Sequence, residues 1–291
     1  MSILDRIVMV TLGCPDLAAA QEAYCRYLHY RRVGGGRVPG ELAELWGCNA
    51  VAGSEYVLLA PEADERHFVR LLHTEADPGY RSFSRAGWNA AEILVNDTDS
   101  LAQSLAGSPF TVVGPPADLS FTDKIRACQV QGPAGEALYL TQVKGAVPGF
   151  NLPLTGRTAA HCFVVILAST SLSASKDYYR TRFAVADAPV IGARVTLMSA
   201  AHGLPRDHQH SITALTLGDP GYLIEVDELP SAGAGMQAQA GLMPQGIAVV
   251  SFSCSSAPDR ADRILADAPY NGRRVGLCTG PAGEMLELVY S

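Results

Sequence analysis

Two glutamates stand between apolar neighbours in short runs that read as strands: Glu225 in Leu223-Ile224-Glu225-Val226 and Glu287 in Met285-Leu286-Glu287-Leu288. On a strand such a carboxylate points away from the faces its neighbours occupy. Buried, it needs a partner. Facing a cavity, it can hold a cation or move a proton. Facing solvent, it does neither, and both orientations stay open at this stage. His208 and His210 form an HxH, which on a strand puts two imidazoles on one face, as a metal pair or as a general acid/base that titrates near neutrality. The preceding Gly203-Leu204-Pro205-Arg206 reads as a loop, so a polar loop entering a strand explains the same residues. Tyr139 and Tyr290 are phenols that either meet a substrate oxygen or pack. Arg70 is a fixed cation for a carboxylate or an exposed strand arginine, and Trp46 and Trp88 are core or cavity wall. Glu225, Glu287, His210 and Tyr290 are the candidates for catalysis.

The elements that must position these residues repeat. Gly132-Pro133-Ala134-Gly135-Glu136-Ala137-Leu138-Tyr139-Leu140 and Gly280-Pro281-Ala282-Gly283-Glu284-Met285-Leu286-Glu287-Leu288 spell one phrase about half the chain apart, with Tyr139 in the place of Glu287. A turn feeding a strand, repeated at that distance, predicts a duplicated architecture. Four copies of one order follow: a strand, a helix, then short strands. The first strands fall at 6–12, 88–95, 159–167 and 246–254, and the helices at 17–28, 97–105, 171–183 and 258–266. Asp16, and Asp97 or Asp99, are helix caps. Residues 49–51 and 185–198 read as strands. The fourth copy is about ten residues shorter than the second, which predicts a clipped hairpin.

The chain has 291 residues, 48% apolar and 18% charged, with a formal net charge of −7 and a pI near 5.5. The acidic balance argues against a nucleic-acid or anionic-membrane surface. No basic and apolar leader opens the sequence, and the longest apolar run, 162–168, is too short for a bilayer. Seven cysteines with no CxxC read as reduced thiols of a cytoplasmic protein. No GxGxxG, P-loop, GxSxG or HExxH occurs.

The phrases Asp16-Leu17, Ala23-Tyr24-Cys25-Arg26-Tyr27-Leu28-His29-Tyr30-Arg31-Arg32-Val33 and the two Gly-Pro-Ala-Gly-Glu strands, within four βαβββ units, resemble the vicinal oxygen chelate superfamily of glyoxalases, bleomycin-resistance proteins and extradiol dioxygenases. The resemblance implies an α+β fold of four modules paired into two cup-shaped mixed sheets. It places an N-terminal domain at 1–146 (modules about 5–75 and 85–143), a linker at 147–157, and a C-terminal domain at 158–291 (modules about 158–228 and 245–291). Family metal positions map to Met9, Arg70, Ala90 and Tyr139 in the first half, which makes no site. In the second half they map to His161 (or Val164, if the longer following loop shifts the strand), Glu225, Val249 and Glu287.

The resemblance therefore implies a divalent metal (Zn, Mn, Ni or Fe(II)) on His161, Glu225 and Glu287 of the C-terminal domain. It further implies an isomerase, epimerase or lyase acting on a small substrate with vicinal oxygens. A ring-cleaving dioxygenase fits less well, because Val249 stands where a second histidine belongs. The alternative is a metal-free small-molecule binding or sequestering protein, and a homodimer is a further expectation. Convergence of the three ligands is the test of the first reading.

Overall fold

The computed structural model describes residues 2–62, 64, 66–230, 241–255 and 263–290. The four modules are present. The first has β1 (Leu4–Cys14), α1 (Leu17–Tyr27), β2 (Tyr30–Arg37), α2 (Gly40–Leu45), β3 (Glu55–Pro61) and β4 (Phe68–His73). The second has β5 (Gly87–Val95), α3 (Thr98–Ser104), β6 (Thr111–Leu119), β7 (Thr122–Gln131) and β8 (Ala137–Val143). The third has β9 (Ala159–Ser169), α4 (Leu172–Phe183), β10 (Ile191–Ala193), α5 (Thr196–Ala201), β11 (His210–Thr216) and β12 (Leu223–Glu228). The fourth has β13 (Gly246–Cys254), β14 (Arg263–Leu265), β15 (Arg273–Thr279) and β16 (Met285–Tyr290).

Asp16, Asp97 and Ser171 cap α1, α3 and α4 through their side chains, as short polar residues do at a helix start. Two expected strands are corrected. Residues 49–51 make a 3-10 turn, and 185–198 hold only β10 before α5 begins, because Leu197 and Met198 bury on a helical face instead of alternating. The helix expected at 258–266 falls largely outside the described residues, and its end is β14. The clipped hairpin is there: β14 has 3 residues where β6 has 9.

The strands form two eight-stranded mixed sheets, in the orders β14-β15-β16-β13-β1-β4-β3-β2 and β10-β11-β12-β9-β5-β8-β7-β6. The first sheet joins the first and fourth modules, and the second joins the second and third. The halves 1–146 and 158–291 therefore do not correspond to the two sheets. All four leading strands are mostly apolar, so their pairing is degenerate in sequence. Tertiary contacts choose β1 with β13 and β5 with β9, both antiparallel.

The repeated phrase supplies one such contact. Glu136 folds back over its own turn to accept the Ala134 N–H at 2.8 Å and the O–H of Tyr24, from α1 of the other sheet, at 2.7 Å. Glu284 does the same with Ala282 at 2.9 Å and Tyr179 of α4 at 3.1 Å. A Cβ at Gly132 or Gly280 would lie 2.1 or 1.9 Å from that carboxylate, so only glycine leaves room for the fold-back. Each odd module thus clasps the following even module across the sheets.

Candidate functional site

Each sheet has a face filled by its own short helix, and we call these faces the cups. In the first, Met9, Leu58, Leu72, Val249, Val275 and Val289 pack with Leu42, Ala43 and Trp46, from α2 and just beyond, and with Tyr270. Family positions that the sequence divided between the two halves come together here: Met9 and Arg70 from the first module, Val249 and Glu287 from the fourth. Glu287 is fully buried. It accepts hydrogen bonds from Ser251 Oγ (2.7 Å), Tyr270 Oη (2.9 Å) and Trp46 Nε1 (2.9 Å). Its Oε1 lies 3.8 Å from Arg70 Nη2, which also donates to Tyr270 Oη. The Arg70 guanidinium sits 5.1, 5.3 and 5.9 Å from the rings of Trp46, Tyr270 and Tyr56. Such an aromatic cage suits a weakly hydrated planar cation.

The usual metal of this fold does not fit the first cup. A guanidinium occupies the charge position, Met9 and Val249 offer no suitable ligand, and the one carboxylate already accepts three hydrogen bonds and pairs with Arg70. Arg70 is itself buried, its Nη1 has no hydrogen-bond partner, and it helps line a cleft, about 20 Å³ in its enclosed part, with Pro39, Leu42, Tyr56, Ala268 and Tyr270.

The second cup has the opposite chemistry. Glu92 of β5 pairs in register with Tyr139 of β8, and Glu225 and Asp227 alternate along β12. Asp227 and Thr141 are fully buried and Tyr139 nearly so, while Glu92 and Glu225 keep partial exposure. Burial pushes the Glu92 carboxyl up to about 8, helped by the charge of Glu225. Burial also raises Asp227. Glu225 goes well above the carboxylate range through burial and then the facing Asp227. Tyr139 Oη has no hydrogen-bond partner, while the Asp227 carboxyl lies against that of Glu225 and the Thr141 hydroxyl against Glu92. Among the described residues, no ion pair with a basic side chain relieves these three acids. Three acids facing one another without a cation are stable as neutral, protonated groups.

His161, Glu225 and Glu287 do not converge. Glu287 belongs to the first sheet and Glu225 to the second, since modules three and four were dealt to different sheets. His161 lies in neither cup. It stacks on His67 at 4.4 Å between ring centroids and on Tyr222 at 5.5 Å, in the seam between β4 and β9. Its alternative, Val164, stands in register with Glu92 and Leu223. His210 is buried against Ser199 Oγ at 2.9 Å, and burial lowers its pKa, while His208 is exposed. The HxH is a loop entering a strand. Tyr290 belongs to the core on the face of β16 opposite Glu287. The four candidate catalytic residues are thus dispersed.

Sequence reasoning missed Glu92 and Asp227, although Ala91-Glu92-Ile93 shows the same apolar-flanked carboxylate as Glu225. It also missed Tyr270, Ser251 and the pair Asp64 and His67, for which no local pattern gave a signal. Among the described residues, a group of three metal-capable side chains with ligand atoms within 4.8 Å of one another is Asp64, His67 and His161.

No family model matches the sequence, and no curated protein matches it either. Solved structures do match the fold. Glyoxalase I from Zea mays aligns at 14% identity over 98% of this chain and 92% of that one, with a TM-score of 0.62. A protein from Bacillus subtilis described as a candidate dioxygenase aligns at 11% identity over 100% of this chain and 86% of that one, with a TM-score of 0.64. The chain shares the two-sheet fold of these structures, and no helix among the described residues is long and apolar enough to cross a membrane.

Proposed function

We propose that this chain, built on the glyoxalase-like fold, binds a small aromatic or apolar molecule bearing an acceptor oxygen, and does so in the first cup without a metal. The observation that carries the reading is the buried, partnerless Arg70 Nη1 at a cleft walled by Tyr56 and Tyr270. A carbonyl or carboxylate oxygen would complete the guanidinium, and the two aromatic walls would hold a flat body. The enclosed part of the cleft, about 20 Å³, has room for one acceptor atom, so the flat body would sit at its solvent-facing mouth.

Binding or sequestration fits this cup better than turnover. Glu287 is the only carboxylate at its base among the described residues, and it already accepts from Ser251, Tyr270 and Trp46 beside Arg70. A carboxylate so engaged is a poor general base, because it must lose those bonds to take a proton. The metal-dependent isomerase, epimerase or lyase implied by the resemblance would need His161, Glu225 and Glu287 together, and they stand apart.

The test is a titration of the chelator-treated chain with benzamide and with benzoate, read by quenching of Trp46 fluorescence. The reading requires saturable quenching that EDTA leaves unchanged and that Arg70→Met, paired with Glu287→Leu to avoid an orphaned charge, removes. Quenching that appears only after a divalent metal is added would overturn it.

A further inference from the structure

We propose that Asp64, His67 and His161 form a site for a borderline divalent metal ion, of the Zn(II), Co(II) or Ni(II) class, in the seam between the two sheets and outside both cups. Two imidazoles and one carboxylate are the donor set that such ions prefer. One ligand atom from each residue lies within 4.8 Å of the others, the spacing that lets three donors close on one ion.

The site is partly organised. Asp64 Oδ1 accepts the backbone N–H groups of Arg66 (2.9 Å) and His67 (3.2 Å), which fixes the connection between β3 and β4. Asp64 Oδ2 lies 2.8 Å from His67 Nδ1, and His67 Nε2 lies 2.7 Å from the Tyr222 hydroxyl. With Nε2–H donating to the Tyr222 hydroxyl, the Nδ1 lone pair faces Asp64 Oδ2, and an ion would take the place of the proton between them. A hydrogen bond from the ring nitrogen away from the ion orients metal-binding histidines in this way. Among the described residues, the ring nitrogens of His161 make no hydrogen bond, so nothing but stacking holds that ring. The stacked rings, 18° apart, cannot aim both lone pairs at one point. Binding therefore requires His161 to turn, toward a crevice of about 10 Å³ that it lines with His67, Tyr30, Pro61 and Phe68. Cys162, beside it, already donates its thiol to the Val164 carbonyl at 3.2 Å and is not a ligand. The exposed Arg66 and Arg157 oppose positive charge here, so the ion should be exchangeable and not permanent.

The ion would tie the β3–β4 connection of the first module to β9 of the third, so occupancy should raise the melting temperature. The experiment is a Co(II) titration of the full chain after chelator treatment, followed by visible ligand-field absorption and thermal melting. The expected result is one equivalent bound, with a higher melting temperature. His161→Gln should abolish the absorption while the metal-free melt stays near that of the parent. Asp64→Asn should weaken binding at least tenfold, and Glu225→Gln should leave it unchanged. No saturable absorption, bands that persist in His161→Gln, or bands lost in Glu225→Gln would overturn the proposal. The last of these would place the ion in the second cup.

Discussion

The two cups are built from corresponding strands and reach opposite solutions. In the first, Arg70 and Glu287 neutralise each other inside an aromatic cage. In the second, Glu92, Glu225 and Asp227 face one another with no basic partner among the described residues, and burial shifts all three toward their protonated forms. One cup resolves the cost of buried charge by pairing, the other by neutralisation. A duplicated scaffold can thus keep its geometry while its polar centre is rebuilt, so fold alone does not assign the chemistry of either cup.

The sharpest way to break the contrast is to remove one member of the pair. Arg70→Ala should cost about 3–5 kcal/mol in urea denaturation, because Glu287 is left buried without its cation. Replacing both, Arg70→Met with Glu287→Leu, should cost clearly less than the sum of the single changes. Strict additivity would mean that the two charges do not interact.

The second effect is on pH. The folded-state pKa values of Glu92, about 8, and of Glu136 and Glu284, about 7, lie above the ordinary 4.5. Around neutrality the native chain holds protons that the unfolded chain has released. The stability they confer is present at low pH and is lost as pH rises through 7 to 8, at about 1.4 kcal/mol per pKa unit. Denaturation midpoints should therefore fall between pH 6.5 and 8.5, a window above the titration of His161, which burial lowers to about 4. Glu92→Gln should flatten the upper part of that fall, and an unchanged slope would count against a protonated Glu92.

Tyr24→Phe and Tyr179→Phe test the clasps that hold the cups together. Each removes a donor from a buried carboxylate and should cost about 1–3 kcal/mol. Equal costs would show two equivalent clasps, and a negligible cost for either would remove it from the account. The smallest effect belongs to the second cup. Asp227→Asn at pH 6 replaces a neutral acid with a neutral amide and should change stability by under about 1 kcal/mol. A Glu287→Gln change in the first cup should cost more, since the amide cannot accept from the same donors and also face Arg70.

Much of the fold was legible because its signals are local. Caps at Asp16 and Asp97, alternation in the last strands and the repeated Gly-Pro-Ala-Gly-Glu phrase all act within a few residues. The pairing of modules was not legible, since it depends on which of four similar apolar strands meet. The pairing of Glu225 with Glu287 failed for that reason, whereas His161, His210 and Tyr290 are placed by contacts that their own strands do not show. Glu287 does stand at the base of a cup and Glu225 does face one, but the cups are different ones. His161 was singled out for metal at a strand position, and its neighbours Asp64 and His67 come from a loop of another module. The tyrosine that departs from the repeated phrase, Tyr139, lies in the acid cup, and the glutamate in its place, Glu287, lies with Arg70.

The contrast is most directly measured by carbon-13 NMR titration of side-chain carboxyls in protein labelled at aspartate and glutamate, assigned through Glu92→Gln, Glu225→Gln and Asp227→Asn. The account predicts that Glu92 titrates near 8, with Glu225 and Asp227 also displaced upward. Three carboxyls of the second cup titrating in the ordinary range near 4 would contradict it, and would mean that water or a cation, not protonation, stabilises them.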